Sequence, residues 1–381
     1  MLLSEKTKSK VLEIQNLYQK GEFNEACNIV RKLSNDYPKN FYLQNLYGVI
    51  SISLNNWEIA KHCFLKSIKI ESRFPEAYNN LGLTELSLGK PEEALQNFLK
   101  ALDLRPNYDR PHNNILKILT YFKPRKFKNN RYIIANNLIN KIKYNYNQNE
   151  YINDLEVKDF FNKCNQIVNK NLLIQDTIET QIYRQNSVDL NCKRHFKVFN
   201  EFNAIPKFCF GCFKITLETK NVLELFKLYF IFDQLKLDNN NTRKCMIELR
   251  ENISGGYKGF IYCSSVPECE KIKNKLKKIL DKNLKSDLSL NLKRGCSEFS
   301  LSYPEYKKAS IKSDEMMEYD KSWKKKEKII DNKIWNKNSS ESKNFETLKG
   351  CNLSDILIMR KWLNYAKNKG DNSYKFICEN L

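Results

Sequence analysis

Histidine is nearly absent from this 381-residue chain, with three copies, and tryptophan and methionine are almost as rare at four and five. Long apolar runs are missing too. The most apolar window, Leu223–Phe232, is short and carries Lys227, far from the ~20 apolar residues that span a bilayer. The opening residues MLLSEKTKSK have two leucines and then charge, with no apolar core of secretory-leader length. The expectation is a cytoplasmic protein without membrane insertion. Also absent are a P-loop, a Gly-rich dinucleotide fingerprint, a G-x-S-x-G elbow and an HExxH pair. Gly255-Gly256-Tyr257-Lys258-Gly259 has glycines and a lysine, but a hairpin turn accounts for them.

Acidic residues are under-represented. There are 65 Lys+Arg against 44 Asp+Glu, a formal charge of +21. The excess is uneven. Residues 1–105 hold 14 basic against 12 acidic side chains, and residues 106–381 hold 51 against 32. A basic C-terminal part attracts polyanions such as RNA, DNA or acidic lipid. The joint richness in Lys, Asn and Ile gives the same charge by compositional bias alone. Cysteine, by contrast, is plentiful at twelve copies. In a chain without an export signal this points to metal ligation or buried thiols rather than disulfides.

Residues 7–108 repeat. Ala77-Tyr78-Asn79-Asn80-Leu81-Gly82 opens a helix, Gly89-Lys90-Pro91-Glu92-Glu93-Ala94 turns into a second, and Pro106 ends it. One step of 34 residues back, Gly48, Ala60 and Phe64 replace Gly82, Ala94 and Phe98. A further step aligns Ala26 and Pro38. Small residues let paired helices approach, and the aromatics fill between them. The period and residue set resemble the tetratricopeptide repeat (TPR). Arg110–Phe122 continues the register as a cap for the stack. The resemblance implies a protein- or peptide-binding scaffold. It further implies that Asn45, Asn79 and Asn113, recurring every 34 residues on the first helix of each unit, face a concave groove and hold an extended peptide, since an amide both donates and accepts. In an Asn-rich chain the same ladder also arises by chance.

The remainder resembles no family. Residues 124–190 read as a helical connector, with helices at Tyr132–Tyr144 and Leu155–Val168. From 207 the pattern alternates as strands at 213–217, 245–249, 259–263 and 288–292, with helices at 221–235 and from Ser265-Val266-Pro267-Glu268 to about 282 between them. Gly295 marks a bulge in the last strand. This β-α-β-β-α-β order predicts a ferredoxin-like sandwich over 191–310 with one sheet face open. Extra C-terminal helices follow over 311–381: a Lys-rich one at Asp314–Ile330, a linker at Lys337–Ser342, and a last helix capped by Ser354-Asp355. The predicted fold is thus an α-solenoid over 1–123, a connector, an α/β sandwich and terminal helices.

One constellation could carry chemistry. Cys192-Lys193-Arg194-His195 is followed thirteen residues later by Cys209-Phe210-Gly211-Cys212. The spacing suits a tetrahedral zinc ion held by Cys192, His195, Cys209 and Cys212, all four ligands from protein and therefore structural. Buried thiols explain the pairs equally, and an iron–sulfur centre or a Cys-x-x-Cys redox pair stays open. Topology would bring Cys296 near Cys212 as a substitute ligand and would join Cys245 to Cys263 at the far end of the sheet. Phe260 and Tyr262 on the third strand, with Lys244, Arg250 and Arg294, offer a base-stacking surface by analogy with the RNA-recognition motif. Three functions follow: a TPR adaptor for a protein or peptide partner with a zinc-stapled α/β domain; an RNA- or polyanion-binding protein; and an uncharacterised transferase-like enzyme in the C-terminal half, the least favoured because no catalytic residues stand out.

Overall fold

A computed structural model of the chain describes residues 5–172, 177–188, 190–251, 253, 255–309, 316–334 and 345–378. It divides into two compact units, one built on Met1–Ile118 and the other on Leu119–Glu327 with Asn344–Leu381.

The first unit is a run of helices, each packed on the one before: α1 (Glu5–Lys20), α2 (Phe23–Asp36), α3 (Phe41–Ser53), α4 (Trp57–Ile70), α5 (Pro75–Ser87) and α6 (Pro91–Leu104), followed by α7 (Asp109–Leu119). The 34-residue period shows in the backbone. Gly21, Asn55 and Gly89, each between the helices of a pair, have φ of +80°, +57° and +75°. Asparagine is the residue that best replaces glycine in that region. In the second and third pairs the space beside the glycine on the first helix is filled by the aromatic on the second. A Cβ on Gly48 would lie 2.5 Å from the Phe64 ring, and one on Gly82 would lie 2.6 Å from Phe98. Both rings are fully buried, so the small residues set how closely the helices can approach.

The second unit contains α8 (Arg131–Lys141), α9 (Asp154–Asn171), β1 (Gln181–Arg184), α10 (Cys192–Phe202), β2 (Phe213–Thr219), α11 (Val222–Gln234), β3 (Arg243–Ile247), β4 (Tyr257–Cys263), α12 (Val266–Asn283), β5 (Leu290–Arg294), α13 (Ser297–Ser302), the start of α14 (Trp323–Ile334), α15 (Leu353–Lys369) and α16 (Ser373–Ile377). The strands form one antiparallel sheet in the order β1-β3-β4-β2-β5. α11 and α12 pack on one face, where Ile215, Leu217 and Ile261 are buried against Leu225, Leu228 and Leu276.

Several expectations change. The segment 124–190 is not a separate connector. α9 packs on α11 and α16, and β1, four residues too short to show a period, joins the sheet beside β3. Gly295 follows the last strand rather than bulging it. Its φ is +53°, and its N–H donates to the Cys212 carbonyl. Cys245 stands opposite Gly259 and Cys263 opposite Phe213, so these two cysteines do not meet. The cap of α15 is Asn352, with Asp355 closing the box at the third position. Asp314 and the expected linker Lys337–Ser342 lie outside the described residues. Among the described residues no helix is long and apolar enough to cross a membrane.

One buried guanidinium joins the parts of the second unit. Arg184, on β1, donates from Nε to Asp233 of α11 (2.5 Å) and from Nη2 to Asp355 of α15 (2.9 Å), Tyr229 (2.8 Å) and the Gly350 carbonyl (3.0 Å). Tyr144 donates to Asp233 as well. Burial raises both carboxyls. At Asp233 the attraction and hydrogen bonds of Arg184 outweigh it and hold the group below the ordinary range, whereas at Asp355 burial prevails.

Replacing Arg184 with methionine strands two buried carboxylates and should cost about 3–5 kcal/mol, read by urea denaturation. In wild type the contribution of Asp233 fades as pH falls through its lowered pKa. In Arg184→Met both carboxyls have raised pKa values, so acid should restore part of the lost stability. A variant with wild-type stability and no such reversal would show the network to be dispensable.

Candidate functional site

Two places carry the residues singled out by sequence. The first is the stripe of first helices in the N-terminal unit. Helical spacing puts Asn79, Asn80 and Leu83 on one face of α5, and Tyr42, Asn45 and Val49 on the same face of α3. Asn45 and Asn79 are buried, at 8% and 1% exposure. Their side-chain oxygens accept from the amide of the next unit: Asn80 donates to Asn45 (3.1 Å) and Asn114 donates to Asn79 (3.2 Å). Asn113 is half-buried and donates to the Asp109 carbonyl at 2.8 Å. The ladder is therefore also a stitch between successive units, and sequence reasoning missed half of it. Asn80 and Asn114 are themselves half-buried, and Tyr42 and Leu83, on the same stripe, are exposed. The dipeptide Asn79-Asn80, repeated as Asn113-Asn114, was the available signal.

The second place is the Cys/His constellation. α10 begins at Cys192 and carries His195 one turn on, while Cys209 sits in a short 3₁₀ turn, Lys207–Gly211, that delivers Cys212 to the start of β2. Gly211, within that turn, has no positive φ. Cys192, His195, Cys209, Cys212 and Cys296 all line one cavity of about 30 Å³, closed by Phe208, Tyr262 and Phe299. His195 is buried and stacks on Phe208 at 5.0 Å. The Gly295–Cys212 backbone bond places Cys296 there. Among the described residues no three His, Cys, Asp or Glu side chains are grouped tightly enough to hold an ion as they stand. Burial pushes the Cys212 thiol up to about 11, against the pull of Lys214, and raises Cys209 further. That direction works against the thiolate a redox pair uses, and a coordinating metal ion would itself displace the proton.

Of the base-stacking set, Phe260, Tyr262 and Lys244 line a cleft on the sheet face away from α11 and α12. Arg294 does not. It is buried over the rings of Phe210 and Tyr306 and donates to the Phe210 carbonyl. Arg250 is tied to Glu248 and Glu298.

Residues 75–108 match the family model of the tetratricopeptide repeat. This segment is a tetratricopeptide repeat. The helix pairs that precede it carry the same 34-residue landmarks. Among solved structures, the chain is similar to the first TPR of Spaghetti (RPAP3) bound to an HSP90 peptide, at 22% identity over 31% of this chain and 93% of that one, with a TM-score of 0.30. The second TPR domain of human RPAP3 with an HSP70 peptide gives 20%, 29%, 92% and 0.28. The Arabidopsis OM64 TPR domain gives 19%, 29%, 91% and 0.28. Among curated proteins nothing matches.

Removing the Asn79 side chain leaves the half-buried Asn114 amide without its partner, at a cost of about 1 kcal/mol. Asn79→Ala should therefore lower hydrogen-exchange protection throughout α5 and α6. Unchanged protection would mean that the stitch between units carries no stability.

Proposed function

We propose that the chain is an adaptor whose TPR unit holds an extended segment of a protein partner. The observation that carries this reading is the stripe on α3 and α5, where a ladder of amides runs beside exposed Tyr42 and Leu83. Amides bond a peptide backbone through both donors and acceptors, and the apolar neighbours receive its side chains. Asn45, Asn79 and Asn113 place the ladder, and Asn80 and Asn114 complete it. The second unit we read as a ferredoxin-like module, β2-α11-β3-β4-α12-β5, extended at one edge by β1. A peptide selected from a displayed random library should bind the full chain, and Asn80→Ala/Asn114→Ala should weaken it about tenfold or more. Failure to enrich any peptide, or binding indifferent to the double substitution, would refute the groove.

A second reading concerns the cysteines. Five donors from three separate stretches of chain line one small cavity, and this favours a structural zinc ion held by Cys192, His195, Cys209 and Cys212, with Cys296 as a further donor. Such an ion would fix α10 and the turn after it to the start of β2. Metal content by mass spectrometry, on protein purified without chelator or affinity metal, should show near-stoichiometric zinc that Cys209→Ser/Cys212→Ser loses together with stability. Metal-free wild-type protein, or iron in place of zinc, would refute it.

A further inference from the structure

The sheet face opposite α11 and α12 carries a pattern that neither reading uses. Strand alternation and register lay it out in rows. One row runs Tyr183, Lys244, Phe260, Thr216, Asn291 across all five strands; the next runs Tyr262, Lys214, Lys293. These residues line a cleft of about 580 Å³, joined by Phe196 from α10; Asn291 alone lies outside it.

The cations in this cleft are sorted. At one end Glu248 accepts from Arg250 and Lys258, Glu298 accepts from Arg250, and Glu218 stands across from Lys258. At the other end Lys214, Lys244 and Lys293 have no carboxylate within ion-pair distance among the described residues. Lys244 donates to Gln181 (2.7 Å), Lys293 to Ser297 (2.6 Å) and Lys214 to the Cys296 sulfur (3.5 Å). Glu298 reaches Lys293 only through space.

This arrangement works against stability. Lys214 is directly opposite Lys293, and like charges facing each other across strands destabilise a sheet. Lys214 is 8% exposed, so its charge is also largely stripped of water. Burial, and then repulsion from Lys214, holds Lys244 down to about 8. The rings offset part of the cost. Lys244 lies over Phe260 (5.1 Å) and Tyr183 (5.4 Å), and Lys214 over Tyr262 (5.3 Å). An uncompensated cluster of this kind is completed by a ligand carrying several negative charges, and Lys is a point-charge binder of phosphate. The volume lies in the range of small-ligand sites.

We infer that this cleft binds a nucleotide-like small molecule, its phosphates among Lys214, Lys244 and Lys293 and its planar ring against the aromatic side chains of the same face.

Titration calorimetry of the full chain would use ATP, inorganic pyrophosphate, adenosine and a uridine decamer as probes. ATP should bind and adenosine should not, with pyrophosphate weaker than ATP because it lacks the ring. Lys244→Gln and Lys293→Gln should each weaken ATP about tenfold. Each should also raise the melting temperature, because repulsion is relieved. Lys278→Gln, on the exposed side of α12, should do neither. The inference fails if ATP and pyrophosphate do not bind, or if Lys278→Gln weakens ATP as much as Lys244→Gln, since that is diffuse attraction to a basic protein. It fails equally if pyrophosphate matches ATP, which removes the ring, or if only the decamer binds, which makes the surface one for polymer.

Discussion

The second unit depends on a single charge placed where water cannot reach it. Arg184 sits on the shortest strand, an edge strand whose four residues give it little ladder of its own. What holds β1 in place is its side chain, which meets α11 through Asp233 and Tyr229, α15 through Asp355, and the turn at Gly350. A buried cation needs its anions close and its remaining donors filled. Each partner here is fixed by a second bond: Asp355 by the cap of α15, Asp233 by Tyr144 and the Gly350 N–H. The network is thus specified from four stretches of chain: Tyr144, Arg184, Tyr229–Asp233 and Gly350–Asp355.

That clamp determines what the rest of the sheet can present. With α11, α12 and α15 gathered on one side, the alternation of each strand sends the other half of its side chains to the opposite face. On β2, β3, β4 and β5 those include Lys214, Lys244, Lys258 and Lys293. Lysine at so many facing positions is poor sheet chemistry. The compensation is partial: cation–ring contacts for two of the four, and one ion pair for Lys258. Part of the charge excess of residues 106–381 is concentrated on one surface in register.

How much of this could be read beforehand depended on distance along the chain. The helix pairs of the first unit were legible because the contacts that make them are local. Gly82 meets Phe98 sixteen residues on, and the same pair recurs as Gly48 and Phe64. The amide ladder was read without its donors, Asn80 and Asn114. Periodicity identifies a face, and Asn79 and Asn80 share that face, so only coordinates separate the buried acceptor from its donor. The four strands with clear alternation were found within two residues at most ends. β1 was not, since Gln181-Ile182-Tyr183-Arg184 has no pattern of its own and becomes a strand by pairing with β3. The Cys-x2-His and Cys-x2-Cys pairs were visible as spacing, and strand order already put Cys296 near Cys212, where the Gly295–Cys212 bond holds it. Arg184 and Asp233 gave no signal and Asp355 showed only as part of a helix cap, because nothing local distinguishes a buried ion pair from three surface charges.

The two proposed recognition surfaces also differ in what they would ask of their partners. The stripe on α3 and α5 is neutral and built of amides already bonded to one another, so a peptide must compete with bonds present in the free protein, and affinity there comes from many modest contacts. The sheet face is the reverse. Lys214, Lys244 and Lys293 are held apart from any carboxylate among the described residues and partly stripped of water before a ligand arrives, so the cost of assembling the site has been met in folding. A single multivalent anion would relieve it, which makes a few close contacts sufficient. Stability withheld from the sheet is then available as affinity, and the residues that weaken the fold are the ones expected to recognise the ligand.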